Sequence, residues 1–173
     1  YMQSRREVQR DKQHRSTGQT IRNLLIVIVA IIVIVGIFYL ISNQPRSAAR
    51  RQTVSIAKKY AHLKDPGSFY IYNRENTYYT IAGRNNQNQP ILVVVPQHGG
   101  SVRVLKQSSG LTAQQVIQQV RQNHHPQKVL KAAPGVFNDK VVWEVTYRNQ
   151  KGQLCYDLIN FKTGKVVQTI NNL

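Results

Sequence analysis

Three short motifs together match the pattern of serine acyltransferases, which need a nucleophilic serine, a lysine beside it and a polar turn. They are Ser55-Ile56-Ala57-Lys58 (S-x-x-K), Tyr147-Arg148-Asn149 (Y-x-N) and Lys162-Thr163-Gly164 (K-T-G), in the order such enzymes use. Each motif is loose, and the chain outside its apolar segment is too short for such a scaffold. The third motif also falls in a repeated turn, described below. We therefore expect no catalytic residues and a protein that is not an enzyme.

Other reactive groups are isolated from one another. The carboxylates after the apolar segment form no pair for acid and base catalysis; they are Asp65, Glu75, Asp139, Glu144 and Asp157. His124 and His125 lack a further ligand at metal-binding spacing, and a solvated helix end is the preferred interpretation. Cys155, the single cysteine, is interpreted as a packed thiol in a strand. We expect no cofactor and no metal.

Residues 24–41 form an unbroken apolar run, LLIVIVAIIVIVGIFYLI. Eighteen helical residues span about 27 Å, close to the hydrocarbon thickness of a bilayer. A small domain has no interior that could surround a helix apolar on every side. The sequence therefore predicts a basic cytoplasmic tail at residues 1–22 and a single-pass transmembrane signal anchor at residues 23–45.

Basic residues flank the apolar run on both sides. Arg5, Arg6, Arg10, Lys12, Arg15 and Arg22 precede it, and Arg46, Arg50, Arg51, Lys58 and Lys59 follow it. This count alone barely sets the orientation, but the first charges often dominate insertion and a folded domain crosses whatever its charge. We expect the N-terminus inside and the C-terminal domain outside the cell membrane.

The formal net charge of +17 indicates an anionic environment. Nucleic acid is not expected, because the basic residues are scattered and a membrane tether removes that target. Anionic wall polymers or lipid headgroups are the more plausible partners, although charge for solubility alone is an equal alternative.

The polar part of the chain repeats itself at an offset of 64 residues. The offset aligns Tyr79-Thr80-Ile81 with Trp143-Glu144-Val145, Arg84-Asn85 with Arg148-Asn149, and Gly100-Ser101-Val102 with Gly164-Lys165-Val166. Two copies of one unit are predicted, at residues 46–108 and 109–173.

Each copy should begin with a helix, at residues 47–63 and 112–123, where Thr112 is placed to cap the second. Four strands follow in each copy, at 68–72, 77–84, 91–96 and 101–106, and then at 128–137, 140–148, 153–162 and 165–170. Pro134-Gly135 should break or bulge the first strand of the second copy. Alternation in the next strand puts Trp143 on a packed face and Glu144 on a face that sees water. The predicted fold class is α+β, with each helix packed on an antiparallel sheet.

Aromatic residues cluster with Arg74 in the first copy. Tyrosine and arginine are favoured at protein interfaces, so four of these residues are candidates for partner binding, although the core is an equal alternative for half of the tyrosines. They are Tyr70, Tyr72, Arg74 and Tyr78.

The second copy resembles the PepSY domain, in which an aromatic-Glu-Val strand precedes Asp-x-x-Thr-Gly-x-Val. The matching residues are Trp143, Glu144, Tyr147, Gly152, Asn160, Thr163 and Gly164, with Asn160 in place of the usual aspartate. Turn glycines and core aromatics explain most of this fingerprint structurally.

The whole arrangement of tail, apolar helix and two such units is similar to the TseB family of Gram-positive bacteria, also called YpmB. The resemblance implies paired cystatin-like folds at the cell surface that regulate peptidoglycan elongation by binding a penicillin-binding transpeptidase. The alternative is a peptidase inhibitor or regulator, as PepSY domains are elsewhere, and a small cell-wall acyltransferase or hydrolase is the third possibility.

Overall fold

The computed structural model describes the backbone of residues 3–171 and the side chains of residues 19–40 and 45–171. The side chains of most of the basic tail, Arg5 to Arg15, therefore lie outside the described residues. Helix α1, Gln3–Ala61, contains the apolar run and Pro45. The chain divides into two compact units, Tyr1–Ser47 and Ala48–Leu173, which are described separately.

The N-terminal unit carries the apolar run, in which the side chains of residues 24–40 are exposed along one helix. Among the described residues, this is the one helix that is long and apolar enough to cross a membrane. Large side chains such as Ile32, Phe38 and Leu40 are each more than 60% exposed. Lipid is the environment that removes such a surface from water.

The globular unit contains two antiparallel sheets of four strands in sequential order. The first copy consists of residues 48–61 of α1 followed by β1 (Leu63–Asn73), β2 (Thr77–Asn85), β3 (Pro90–Pro96) and β4 (Arg103–Lys106). The second copy consists of α2 (Ala113–His124), β5 (Lys128–Phe137), β6 (Lys140–Arg148), β7 (Leu154–Asn160) and β8 (Val166–Ile170). A single 3₁₀ turn, Gln107–Ser109, lies between the copies. The α+β fold class is confirmed.

The repeat extends to single hydrogen bonds in equivalent turns. In the first copy, the Asn85 side-chain oxygen accepts bonds from the amides of Gln87 and Gln89. In the second, Asn149 accepts bonds from the amides two and four residues later in the same way. The two asparagines that the 64-residue offset aligns therefore lie in equivalent β-turns. An Asn side chain stabilises such a turn by accepting hydrogen bonds from the backbone amides that follow it.

Helix α1 packs closely on the first sheet because small residues face the strands. Thr53, Ala57 and Ala61, spaced four residues apart, are buried at the contact. Ile91 and Val93 on β3 are among the residues that complete this core. Spacing by four puts these residues on one helix face.

Helix α2 packs on the second sheet through Val116 and Val120. Thr112 caps this helix in a capping box with Gln115, as predicted. The core beneath holds Trp143, whose Nε1 donates to the Leu111 carbonyl at 2.9 Å.

The two copies meet along β5, which lies against β1 and β2. Tyr70 and Tyr72 point to the same side of β1, because they are two residues apart. Tyr70 packs edge-on against Trp143 at 5.8 Å between ring centroids, whereas Tyr72 packs with Val142. Trp143 and Val142 lie on opposite faces of β6, so the two tyrosines straddle the edge strand β5 of the second sheet.

Two expectations for the second sheet are wrong, and the junction explains both. Pro134-Gly135 does not break β5: Pro134 lies on an edge strand, where proline is tolerated, and the register shift falls at Val129 and Lys131. Glu144 does not see water, since it is 3% exposed. Alternation along β6 placed Glu144 on the correct face, but the first copy covers that face.

Candidate functional site at the junction of the two copies

The buried carboxylate of Glu144 is held by basic residues from both copies. Arg74, directly after β1, donates from Nε to Glu144 Oε2 at 2.6 Å, and the Lys131 ammonium is 3.6 Å from Oε1. The Arg74 guanidinium also lies 5.6 Å from the ring centroid of Tyr156. We call Arg74, Lys131, Glu144 and Tyr156 the Glu144 cluster. Burial of Glu144 in this position depends on Arg74, because an unpaired carboxylate is costly to bury.

Tyr72 lies beside this cluster, where Gly135 of β5 makes room for its ring. A Cβ atom on residue 135 would lie 2.1 Å from the Tyr72 Cγ atom, so only glycine fits there. Tyr72 is 1% exposed. Among the described side chains, its hydroxyl is the one buried polar atom that has no hydrogen-bond partner. Burial raises the pKa of Tyr72 to about 12, and the positive charge of Arg74 partly opposes that rise.

The four residues predicted to bind a partner occupy different environments. Tyr72 is buried, so its assignment to a partner surface is wrong; the second copy already covers it. Tyr70 is half-buried against the same copy. Arg74 is engaged internally, with 19% of its side chain exposed. Tyr78 is half-buried on Tyr72, and it borders an open groove.

That groove lies between two turns and has a volume of about 260 Å³. Glu75 and Asn76 line it from the β1–β2 turn, and Asn138 and Asp139 line it from the β5–β6 turn. We call it the turn groove. A second groove of about 460 Å³ runs over the uncovered part of the second sheet, with the Glu144 cluster at one side.

The PepSY fingerprint builds the turn after β7 and attaches it to α2. The Asn160 side-chain oxygen accepts bonds from the amides of Lys162 and Thr163, at 3.0 and 2.9 Å. An amide oxygen thus does here what the carboxylate of the usual aspartate can do. Gly164 has a φ of +70°, which favours glycine, and its carbonyl accepts a bond from Gln119 on α2. Gly152 provides the same left-handed conformation in the preceding turn.

A second buried carboxylate lies beneath the end of α2. Asp157 is 1% exposed and is 2.8 Å from His124 Nε2. Its other oxygen is 2.9 Å from the Thr169 hydroxyl and 3.4 Å from that of Tyr147. Burial, with the Asp157 charge as a further cause, raises the pKa of Tyr147. His124 is exposed at the end of α2, as predicted. Its ring in addition bonds Asp157 and stacks on Tyr147, which the sequence did not indicate.

This network was missed in the sequence, although a signal was present. Asp157 lies two residues from Cys155 and from Ile159, so strand alternation puts it on the same face as two core residues. A carboxylate on a core-facing position requires donors. The buried Cys155 beside it agrees with the interpretation of a packed thiol.

The three acyltransferase-like motifs lie in different elements and differ in solvent exposure. Ser55 and Lys58 are exposed on α1, Tyr147 is buried under α2, and Lys162 is exposed in the β7–β8 turn. Within the part of the chain that the structure describes, no group of three or more His, Cys, Asp or Glu residues is arranged to hold a metal ion.

Comparison with known protein families assigns the two copies to different models. The "Cell wall elongation regulator TseB-like domain" matches residues 52–96. The PepSY model, "Peptidase propeptide and YPEB domain", matches residues 110–169. Together the two matches cover more than half of the chain. They define the class: a TseB-like domain followed by a PepSY domain.

One solved structure agrees on the fold. The YpmB protein from Bacillus subtilis superposes with a TM-score of 0.63 at 20% sequence identity, covering 70% of this chain and 95% of that one. A putative lipoprotein from Clostridium difficile 630 has a TM-score of 0.39 at 14% identity, covering 69% of this chain and 90% of that one. The comparison with curated sequences gave no match. The chain thus contains a TseB-like domain and a PepSY domain, as its motifs predicted, and it shares its fold with YpmB.

Proposed function

We propose that this protein regulates peptidoglycan elongation from outside the membrane, by binding a penicillin-binding transpeptidase and without catalysing a reaction itself. The observation that carries the proposal is the match of residues 52–96 to a cell wall elongation regulator domain. Both domain types are typical of regulatory or inhibitory proteins rather than enzymes.

The distribution of reactive side chains supports a binding role. The buried carboxylates Glu144 and Asp157 are engaged by groups of the fold itself. A general acid or base needs access to a substrate, whereas these carboxylates hold strands and helices together. Cofactors have no part in the proposal.

The apolar helix supplies the second half of the proposal. With the basic tail inside, the globular unit is confined to the outer face of the membrane. Confinement raises its effective concentration for a membrane-bound transpeptidase without any new contact. The positive charge of the chain favours anionic wall polymers or lipids in the same space.

We place the transpeptidase contact at the turn groove, where Tyr78 and Arg74 of the predicted partner surface lie beside the exposed Glu75. Crosslinking of the full chain in its native membrane, with identification of the attached proteins, tests this. We expect a penicillin-binding transpeptidase to be recovered with the unmodified chain and lost with Glu75→Lys. Asp65→Lys changes an exposed carboxylate near the opposite end of β1 and is the matched control.

Each other result has a definite meaning. Recovery of a peptidase without any wall-synthesis protein would replace the proposal with peptidase inhibition, a role that suits a domain found in peptidase propeptides. Recovery of the transpeptidase with both variants would leave the function standing and exclude the turn groove as its contact.

A further inference from the structure

Strand β4 forms a free edge of the first sheet. Among the residues that the structure describes, β4 pairs with β3 alone. Edge strands present a row of backbone N–H and C=O groups on which another extended chain can pair. Val104, in the middle of this strand, is 47% exposed. By contrast, the edge strand β5 lies against the first copy.

A groove runs along each side of β4. On the helix side, a groove of about 590 Å³ is bordered by Ile56, Tyr60 and Val102, with Val104 from the strand itself. On the side of the second sheet, a groove of about 670 Å³ is bordered by Leu105, Val141 and Phe161. Val104 borders both grooves. We call them the helix-side groove and the sheet-side groove.

The register of β4 shows how an added strand would use both grooves. Val104 pairs with Val93, which faces α1, and Leu105 pairs with Leu92, which faces the second copy. Side chains of a strand paired next to β4 would alternate in the same way. Consecutive residues of that strand would enter the helix-side and sheet-side grooves in turn.

Charge narrows the chemistry of the added strand. Arg103, Lys140 and Lys162 border the sheet-side groove, where Asp139 is the one carboxylate among the described lining residues. Asp139 is bonded to Arg103, which leaves the two lysines, both exposed, to attract an anion. A groove that has apolar residues at its floor and lysine residues at its rim fits a peptide segment that carries both apolar and acidic residues.

We propose that the β4 edge binds an extended, acidic peptide segment of a partner protein as a fifth strand of the first sheet. Backbone pairing with β4 provides affinity, and the two grooves provide specificity for alternating apolar residues with acidic residues on the sheet side. The sheet-side groove adjoins the turn groove at Asp139, which lines both. The proposal holds whichever protein carries the segment.

The test uses the full chain in detergent micelles and a displayed library of random heptapeptides. We expect enrichment of peptides with alternating apolar residues and at least one Asp or Glu. For the best peptide, the charge-reversing pair Lys140→Glu and Lys162→Glu should weaken binding about tenfold. The matched pair Lys64→Glu and Lys128→Glu, also exposed lysines, should leave binding unchanged.

Two readouts examine strand addition itself without altering the protein. Bound peptide should slow amide hydrogen exchange within Arg103–Lys106. Exchange within Val166–Ile170, an edge strand of the second sheet, should stay unchanged. N-methylation of the peptide should abolish binding only at alternate positions, because alternate amides face β4. A library without enrichment, equal binding by both lysine pairs, or protection confined to other strands would each overturn the proposal.

Discussion

The two copies share one topology and differ in what they place at equivalent positions of their sheets. Beneath the helix, the first copy has Val93 in an apolar core, whereas the offset of 64 residues puts Asp157 at the equivalent position. On the opposite face, the first copy has Thr80, which donates to the Pro134 carbonyl, and the second has Glu144. Both charged residues, Asp157 and Glu144, belong to the second copy. The repeat therefore accounts for the fold, and departures from the repeat mark the buried charges.

The copies also differ in how much of each sheet is covered. The first sheet packs against α1 on one face and meets the second copy on the other. Leu92 and Val93 are consecutive residues that point to opposite faces, and both are therefore buried. The second sheet is covered by α2, but the first copy reaches only part of its other face. Leu130, on β5, is 44% exposed as a result. Tight contact at the junction should therefore dominate the effect of mutations.

The largest expected effect comes from adding a methyl group at the junction. Gly135→Ala forces a Cβ atom into the Tyr72 ring and should lower the free energy of unfolding by about 3 kcal/mol. Gly99→Ala is the control: it has a positive φ but open space around it, and we expect a loss of about 1 kcal/mol. Urea denaturation of the full chain in micelles, followed by fluorescence of the single tryptophan, measures both. Equal losses would contradict the close contact at Gly135.

The first copy contributes Arg74 to the Glu144 cluster. Removal of this cation should lower the free energy of unfolding by less than Gly135→Ala does. Arg74→Ala leaves Glu144 buried with Lys131 as its remaining partner, and we expect a loss of about 2 kcal/mol in the free energy of unfolding. Arg84→Ala removes an exposed arginine near the end of β2 in the same copy and should change stability by less than about 0.5 kcal/mol. Combining Arg74→Ala with Glu144→Gln should recover part of the loss; no recovery would show that the two residues act separately.

The apolar residue that lies beneath the helix of the first copy can be introduced at the equivalent position of the second copy. Asp157→Val copies Val93, but it leaves His124 and the Thr169 hydroxyl without their acceptor. We expect a loss of about 1.5 kcal/mol in the free energy of unfolding at neutral pH. Val93→Ile in the first copy is a matched apolar change and should cost less. If Asp157→Val instead raised the free energy of unfolding, the Asp157 carboxylate would be shown to destabilise the folded state.

The smallest effect concerns the Tyr72 hydroxyl and depends on pH. Tyr72→Phe removes a buried hydroxyl without a partner among the described residues, so we expect a gain of about 1 kcal/mol in the free energy of unfolding at neutral pH. Burial raises the pKa of Tyr72 from 10.0 to about 12 in the folded chain. The folded state therefore keeps a proton that the unfolded state releases, and the stability of the unmodified chain should fall as the pH rises from 10 to 12.

The same denaturation series at pH 8, 10 and 11 measures this effect. The advantage of Tyr72→Phe over the unmodified chain should widen by about 1 kcal/mol between pH 8 and pH 11. A constant difference between the two chains would show that the phenol titrates in the folded state as it does in water.

The fold could be predicted from the sequence because its signals are local or repeated. Offset matching of Arg84-Asn85 with Arg148-Asn149 identified equivalent turns, and Thr112 marked the start of α2. Strand alternation divided β6 correctly into two faces. It could not show what covers each face, because that depends on contacts between residues about 70 positions apart, such as Arg74 and Glu144.

The site was harder to predict for the same reason. Tyr72 and Arg74 were identified as notable residues, but aromatic and basic residues look alike in sequence whether they face a partner protein or a second copy of the same unit. His124 was interpreted in isolation, since nothing near it in sequence reveals Asp157. A search for charged residues on core-facing positions of the repeat would have found Asp157 before the structure did.

The position of β5 between Tyr70 and Tyr72 has a consequence for solubility. A second copy made alone would expose this strand and the apolar residues beside it, and strands of that kind pair readily with one another and aggregate. Likewise, a first copy made alone would leave Tyr70, Tyr72 and Leu92 in water. Each copy therefore covers apolar surface of the other, and we expect the pair to stay in solution at concentrations at which either copy alone aggregates.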